Sequence, residues 1–141
     1  MRPMTVDLSH WTLHMGTDER LRTHPRERLA APVQRIDLRE AAARLRDEPH
    51  APVSGHRQVA LVRRGPVSLI LFLFEPGGAL KEHRAEGDVT IHVLAGSLEV
   101  TAADETSRIG PGGIVSLAPG QAHSVRALEA SEMLLTVCQN H

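Results

Sequence analysis

The chain has 141 residues, enough for one domain with a real core, and a formal net charge of −1. That balance gives no electrostatic basis for binding nucleic acid or an anionic membrane, and its three aromatic side chains, Trp11, Phe72 and Phe74, leave few platforms for stacking bases or sugars. The single cysteine, Cys138, excludes an internal disulfide and reads as a small apolar residue on the last strand of a protein from a reducing compartment; without a signal-peptide pattern or a membrane-length apolar run, the expected location is the cytoplasm.

Residues 1–36 show no hydrophobic period and are expected to form a partly flexible N-terminal arm. His10, His14 and His24 lie in it, without the third donor or spaced carboxylate that a metal site needs. Trp11 and Leu13 suggest that part of the arm packs on something, such as a neighbouring subunit. Residues 37–58 read as a helix and a linker. Asp37 and Glu40 form a capping-box pattern, Leu38, Ala41, Ala42 and Leu45 an apolar stripe at helical spacing, and Pro49 a stop, so a helix is predicted over Asp37 to Glu48. It is expected to cover one face or end of the β-structure downstream.

From Arg57 the chain breaks into short strands with glycine and proline between them. Arg57–Arg64 and Val67–Phe74 are joined by a Gly65-Pro66 turn, and Gly96-Ser97 makes the next hairpin. Leu98–Ala102 leads into a polar turn over Ala103–Thr106. Ile114–Leu117, Ala122–Leu128 and Glu132–Cys138 complete the series. This spacing predicts an all-β sandwich or barrel over residues 59–141. There is no GxGxxG, no P-loop and no serine or cysteine nucleophile at a recognisable elbow.

Two stretches carry more than fold. Gly77, His83 and Gly96 match the first glycine, first histidine and last glycine of a motif reading Gly, five residues, His-x-His, three or four residues, Glu, six residues, Gly. Gly112, Gly120 and His123 match a second, reading Gly, five residues, Pro-x-Gly, two residues, His. Residues 97–111 separate the two, close to the short spacing of small bacterial members. On these residues the chain resembles the cupin superfamily, as a small single-domain RmlC-like cupin. The resemblance covers about Val59 to Cys138. It implies a double-stranded β-helix, or jelly roll, with the one helix outside it, and a homodimer.

The resemblance also implies a metal site of three imidazoles and a carboxylate, for zinc, iron, manganese or nickel. Here Ala85 stands at the second histidine position, Val89 at the glutamate and Ala118 at the proline. Only His83 and His123 occupy ligand positions. His92 is the next candidate ligand and His56 the one after it. His92 has the wrong parity against Val89, Ile91 and Val93 unless a β-bulge near Gly87 reverses it, and His56 sits at the mouth of the first strand. Two readings stay open. In one, His83, Ala85, Val89, Ile91 and His123 line a mostly apolar pocket for a small molecule, with a degenerate, weakly held metal. In the other, the protein is a metal-dependent cupin enzyme of dioxygenase or isomerase type.

Overall fold

The computed structural model describes residues 29–139. The histidines of the N-terminal arm, Trp11 and Leu13 lie outside the described residues. Among the described residues, helix α1 (Leu38–Arg46) precedes nine strands: β1 (His56–Arg64), β2 (Val67–Phe74), β3 (Ala79–His83), β4 (Asp88–Ala95), β5 (Leu98–Ala102), β6 (Glu105–Ile109), β7 (Ile114–Leu117), β8 (His123–Ala127) and β9 (Ser131–Cys138). They form a five-stranded sheet of order β1-β2-β9-β4-β7 and a four-stranded sheet of order β3-β8-β5-β6, with every pair antiparallel. No helix among the described residues is long and apolar enough to cross a membrane.

Alternation along the strands sorts side chains to the two faces of each sheet. Cross-strand rows such as Ala60–Ile70–Leu135–Ile91–Val115 and Gln58–Phe72–Met133–Val93 line the inside of the larger sheet. Leu98, Val100, Val125 and Ala127 answer them from the smaller sheet, and all of these apolar side chains join one core. On the outer face of β1 and β2, Leu71 and Leu73 are buried under Ala42 and Leu45 of α1. The helix thus covers the sheet from outside.

Asp37 caps that helix by accepting from the amides of Arg39 (2.9 Å) and Glu40 (3.2 Å). Glu40 does not close the box; its carboxylate accepts from Arg44 one turn on, an i,i+4 pair. The helix ends at Arg46 with Asp47 as C-cap, before Pro49 can act. The expected turn over Ala103–Thr106 is shorter. Ala103 and Asp104 take left-handed conformations (φ 51° and 62°), and Glu105 already starts β6. Its residues are nearly all exposed because β6 is an edge strand, which is why their polarity reads as a loop.

Gly87 joins the His83 end of one sheet to the start of β4 in the other. A Cβ there would lie 1.9 Å from the carbonyl oxygen of Cys138, which is backbone and cannot yield. Gly110 has open space around it. Gly87→Ala is therefore expected to lower unfolding free energy by roughly 2 kcal/mol or more in urea, and Gly110→Ala by less than about 0.5 kcal/mol. Equal effects would show that the Gly87 contact does not constrain the fold.

Candidate functional site

His83 is the last residue of β3 and His123 the first of β8, and the two are direct partners in the antiparallel ladder. Leu80 and His83 both pair with β8 although they are three residues apart, because the β3 register shifts between them. The imidazole rings meet edge to face with centroids 4.3 Å apart. His123 is 2% exposed and His83 half-buried. At the same end of the barrel Ala85 and the row Leu117–Val89–Val137 are buried in the apolar core and line it as an apolar wall. The amide of Gly120 donates to the carbonyl of Ala85 (2.8 Å), which ties the two motifs together at this end of the barrel.

Both rings are oriented in the same way. Nδ1 of His83 lies 2.7 Å from the carbonyl of Lys81, and Nδ1 of His123 lies 3.0 Å from the carbonyl of Gln121. A carbonyl only accepts, so each Nδ1 carries the proton and each Nε2 the lone pair. Burial pushes the pKa of His83 down from 6.5 to about 4; the bond to Lys81 opposes that shift and the neighbouring His123 adds to it. Burial lowers His123 as well, against the bond to Gln121. Near neutrality this is a pair of neutral imidazoles, each fixed in the tautomer in which imidazole binds metals or accepts hydrogen bonds through Nε2.

The remaining candidates are placed elsewhere. Val89, Ile91 and Val93 face inward, and alternation runs unbroken between them, so His92 lies on the outer face between its ladder partners Leu134 and Ile114. The irregularity in β4 falls between Val93 and Ala95, past His92, and not near Gly87. His56 does face inward, but from the far end of the barrel. It pairs with Phe74, whose other partner is Ser131, and its ring packs 5.7 Å from both Phe72 and Phe74. Its Nε2 is 3.1 Å from Oε1 of Gln58. Neither histidine joins His83 and His123, and among the described residues no three His, Cys, Asp or Glu side chains converge as a metal set. Two imidazoles alone do not complete a zinc site, which takes at least three protein donors.

Two residues near this site, and one further along the barrel interior, escape a motif-based reading. The row His83–His123–Ala102–Glu105 crosses the smaller sheet, so Glu105 shares the face of the imidazoles two strand spacings, or about 10 Å, from His123. Ser68 is buried in the row that contains Val137 and Val89. Gln58 faces inward beside Phe72, and its parity with His56 and Ala60 was the available signal. A separate groove of about 790 Å³ lies outside the barrel between α1, residues 31–36 and β1.

A two-sheet barrel with glycine-turn strands that bring two histidines to one end defines a cupin-type double-stranded β-helix. The cupin domain family matches residues 70–138. A conserved protein of unknown function from Streptococcus pyogenes is 28% identical, with a TM-score of 0.59 over 62% of this chain and 77% of its own. KdgF from a Halomonas species is 21% identical, with a TM-score of 0.59 over 64% of this chain and 86% of its own. Salicylate 1,2-dioxygenase from Pseudoaminobacter salicylatoxidans is 14% identical, with a TM-score of 0.70 over 78% of this chain; the chain spans about a third (34%) of that enzyme. None of the curated proteins matches. The chain belongs to the cupin superfamily.

The depressed His83 pKa sets a stability profile. In the unfolded chain an imidazole protonates near pH 6.5, whereas the folded one resists until about 4. Stability from the neutral ring is complete above pH 6.5, falls as pH drops between 6.5 and 4, and levels off below. Urea titrations should show a loss on the order of 3 kcal/mol across that window, much reduced in His83→Gln. An identical loss in that variant would assign the transition to other groups.

Proposed function

We propose that this cupin binds a small molecule at the His83–His123 end of its barrel and holds a divalent metal only weakly there. The carrying observation is the pair of neutral imidazoles set in an apolar wall, with Ala85 and Val89 where the family resemblance expects an imidazole and a carboxylate. A few oriented polar groups in an apolar recess are the usual make-up of a small-molecule site. The two Nε2 lone pairs favour a ligand that offers hydrogen-bond donors. The same nitrogens are the donors for a metal such as zinc, iron, manganese or nickel, which would polarise a bound oxygen if held. The likeness to salicylate 1,2-dioxygenase keeps the metal-dependent enzyme as the competing reading. The homodimer belongs to the proposal too: Ile114, 61% exposed beside His92 on the outer face of the larger sheet, is apolar surface that pairing would cover.

The test is repair of the donor set. Ala85→His with Val89→Glu adds an imidazole and a carboxylate to the wall around His83 and His123. The double variant should melt lower than the parent without metal, because a buried carboxylate lacks a partner. Zinc in about hundredfold excess over its dissociation constant should then raise the melting temperature by roughly 10 °C. The parent should gain little. A parent already strongly stabilised by metal would contradict the weak-site reading and favour the enzyme.

A further inference from the structure

We propose that the small molecule bound beside the imidazole pair is an organic cation, whose ammonium group pairs with Glu105 while a hydrogen-bond donor a short apolar spacer away meets Nε2 of His123. The cation rests on the reading of this end of the barrel as a small-molecule site and gives its ligand a chemical class. Ladder partners share a face of their sheet, so the row His83–His123–Ala102–Glu105 turns all four side chains to the inside of the barrel. His123 is 2% exposed, and its Nδ1 is held by the carbonyl of Gln121. A neutral ring whose Nδ1 carries the proton can only accept through Nε2. Among the described residues nothing donates to that Nε2, and no cation pairs with the Glu105 carboxylate. Ala102, between the two, carries only a methyl group and packs against the core.

The edge strands provide the way in. Residues 110–113 join β6 to β7, the edge strand of the other sheet, so the two edges lie side by side and Glu105 comes to the Leu117 end of β7. Glu105 and Ser107 lie on the same face as the buried Val100, yet both are exposed. The inner face of β6 therefore meets solvent. Two strand spacings put the backbones of His123 and Glu105 about 10 Å apart. A hydrogen bond of about 2.8 Å at each end leaves about 4–5 Å between the ligand's polar atoms, a spacer of about three carbons. Ala102 and Leu117 are the apolar surfaces beside that spacer. At such a separation Glu105 does not share an ion with the imidazoles, and no metal set converges there among the described residues. Arg63 shares the inner face of Ser68, but it stands on β1, four strand spacings or about 19 Å from β7, and does not neutralise Glu105. Arg84, nearer the rings, donates to the carbonyl of Gly120.

Ring-nitrogen spectra of the full chain test it with probes that differ only in one end group: 3-aminopropanol, 1,3-propanediol and 3-hydroxypropionate. At pH 7 and low salt, 3-aminopropanol should shift the Nε2 resonance of His123 and bind at least about fivefold more tightly than either of the others. Added salt should weaken that preference. Glu105→Gln, an exposed substitution that should leave the melting temperature unchanged, should abolish it, and Asp104→Asn at the same turn should keep it. Equal affinity for the diol, tighter binding of the carboxylate, or an unchanged preference in Glu105→Gln would overturn the cation and leave a small-molecule site in place. No shift of His123 by any of the probes would overturn the small-molecule reading itself, and the cation with it.

Discussion

The pairing of β9 with both β2 and β4 is the constraint on which the rest of the structure depends. β9 lies at the centre of the larger sheet, and its eight residues pair one for one with β2. It meets β4 in the same regular way from Asp88 to Val93. Because side chains alternate, this register sends Met133, Leu135 and Val137 inward together with Val89, Ile91 and Val93. A slip of one residue would bury Glu132, Leu134 and Thr136 and turn the core out to solvent. The same register sends His92 outward. The inner wall of the mouth is apolar for that reason, and because Ala85 and Val89 stand where the resemblance expects a histidine and a glutamate.

The smaller sheet sets the chemistry. The irregularity in β3 turns His83 to the face of Leu80, and the ladder then places it opposite His123. Each ring is tied through Nδ1 to the carbonyl two residues before it, so both present Nε2 in a fixed tautomer. Burial next to Ala85, Val89 and Leu117 makes protonation costly, and a charge on one ring would disfavour charge on the other at 4.3 Å. The site is therefore basic in the Lewis sense yet uncharged. That distinguishes it from a cationic anion-binding mouth, and it leaves affinity to shape and hydrogen bonding.

Much of the barrel was legible in the sequence because its signals are local. The glycines at 77, 96, 112 and 120 all take positive φ, as turns between short strands require, and the strand pattern located β2, β7 and β9 to within a residue. The helix was legible through Asp37 and the Ala42–Leu45 stripe. What was not legible depends on tertiary context. β6 is polar because both its faces meet solvent, so composition alone reads it as a loop. His56 opens a strand, yet nothing local says which end of the barrel that is. The parity of His92 was readable, but its position relative to an irregularity was not, since a bulge is a property of two paired strands. Leu29 carried no signal, because its burial comes from a barrel more than 25 residues further along the chain.

The paired neutral imidazoles are tested most directly by their ring nitrogens. A 15N titration of His83 and His123 reads protonation state and tautomer at each atom. Both rings should show a protonated Nδ1 and a lone pair on Nε2 at pH 7, and His83 should take up its second proton only near pH 4. Titration of both rings near pH 6.5, or a proton on Nε2 in either at neutral pH, would contradict the pair as the core of the site.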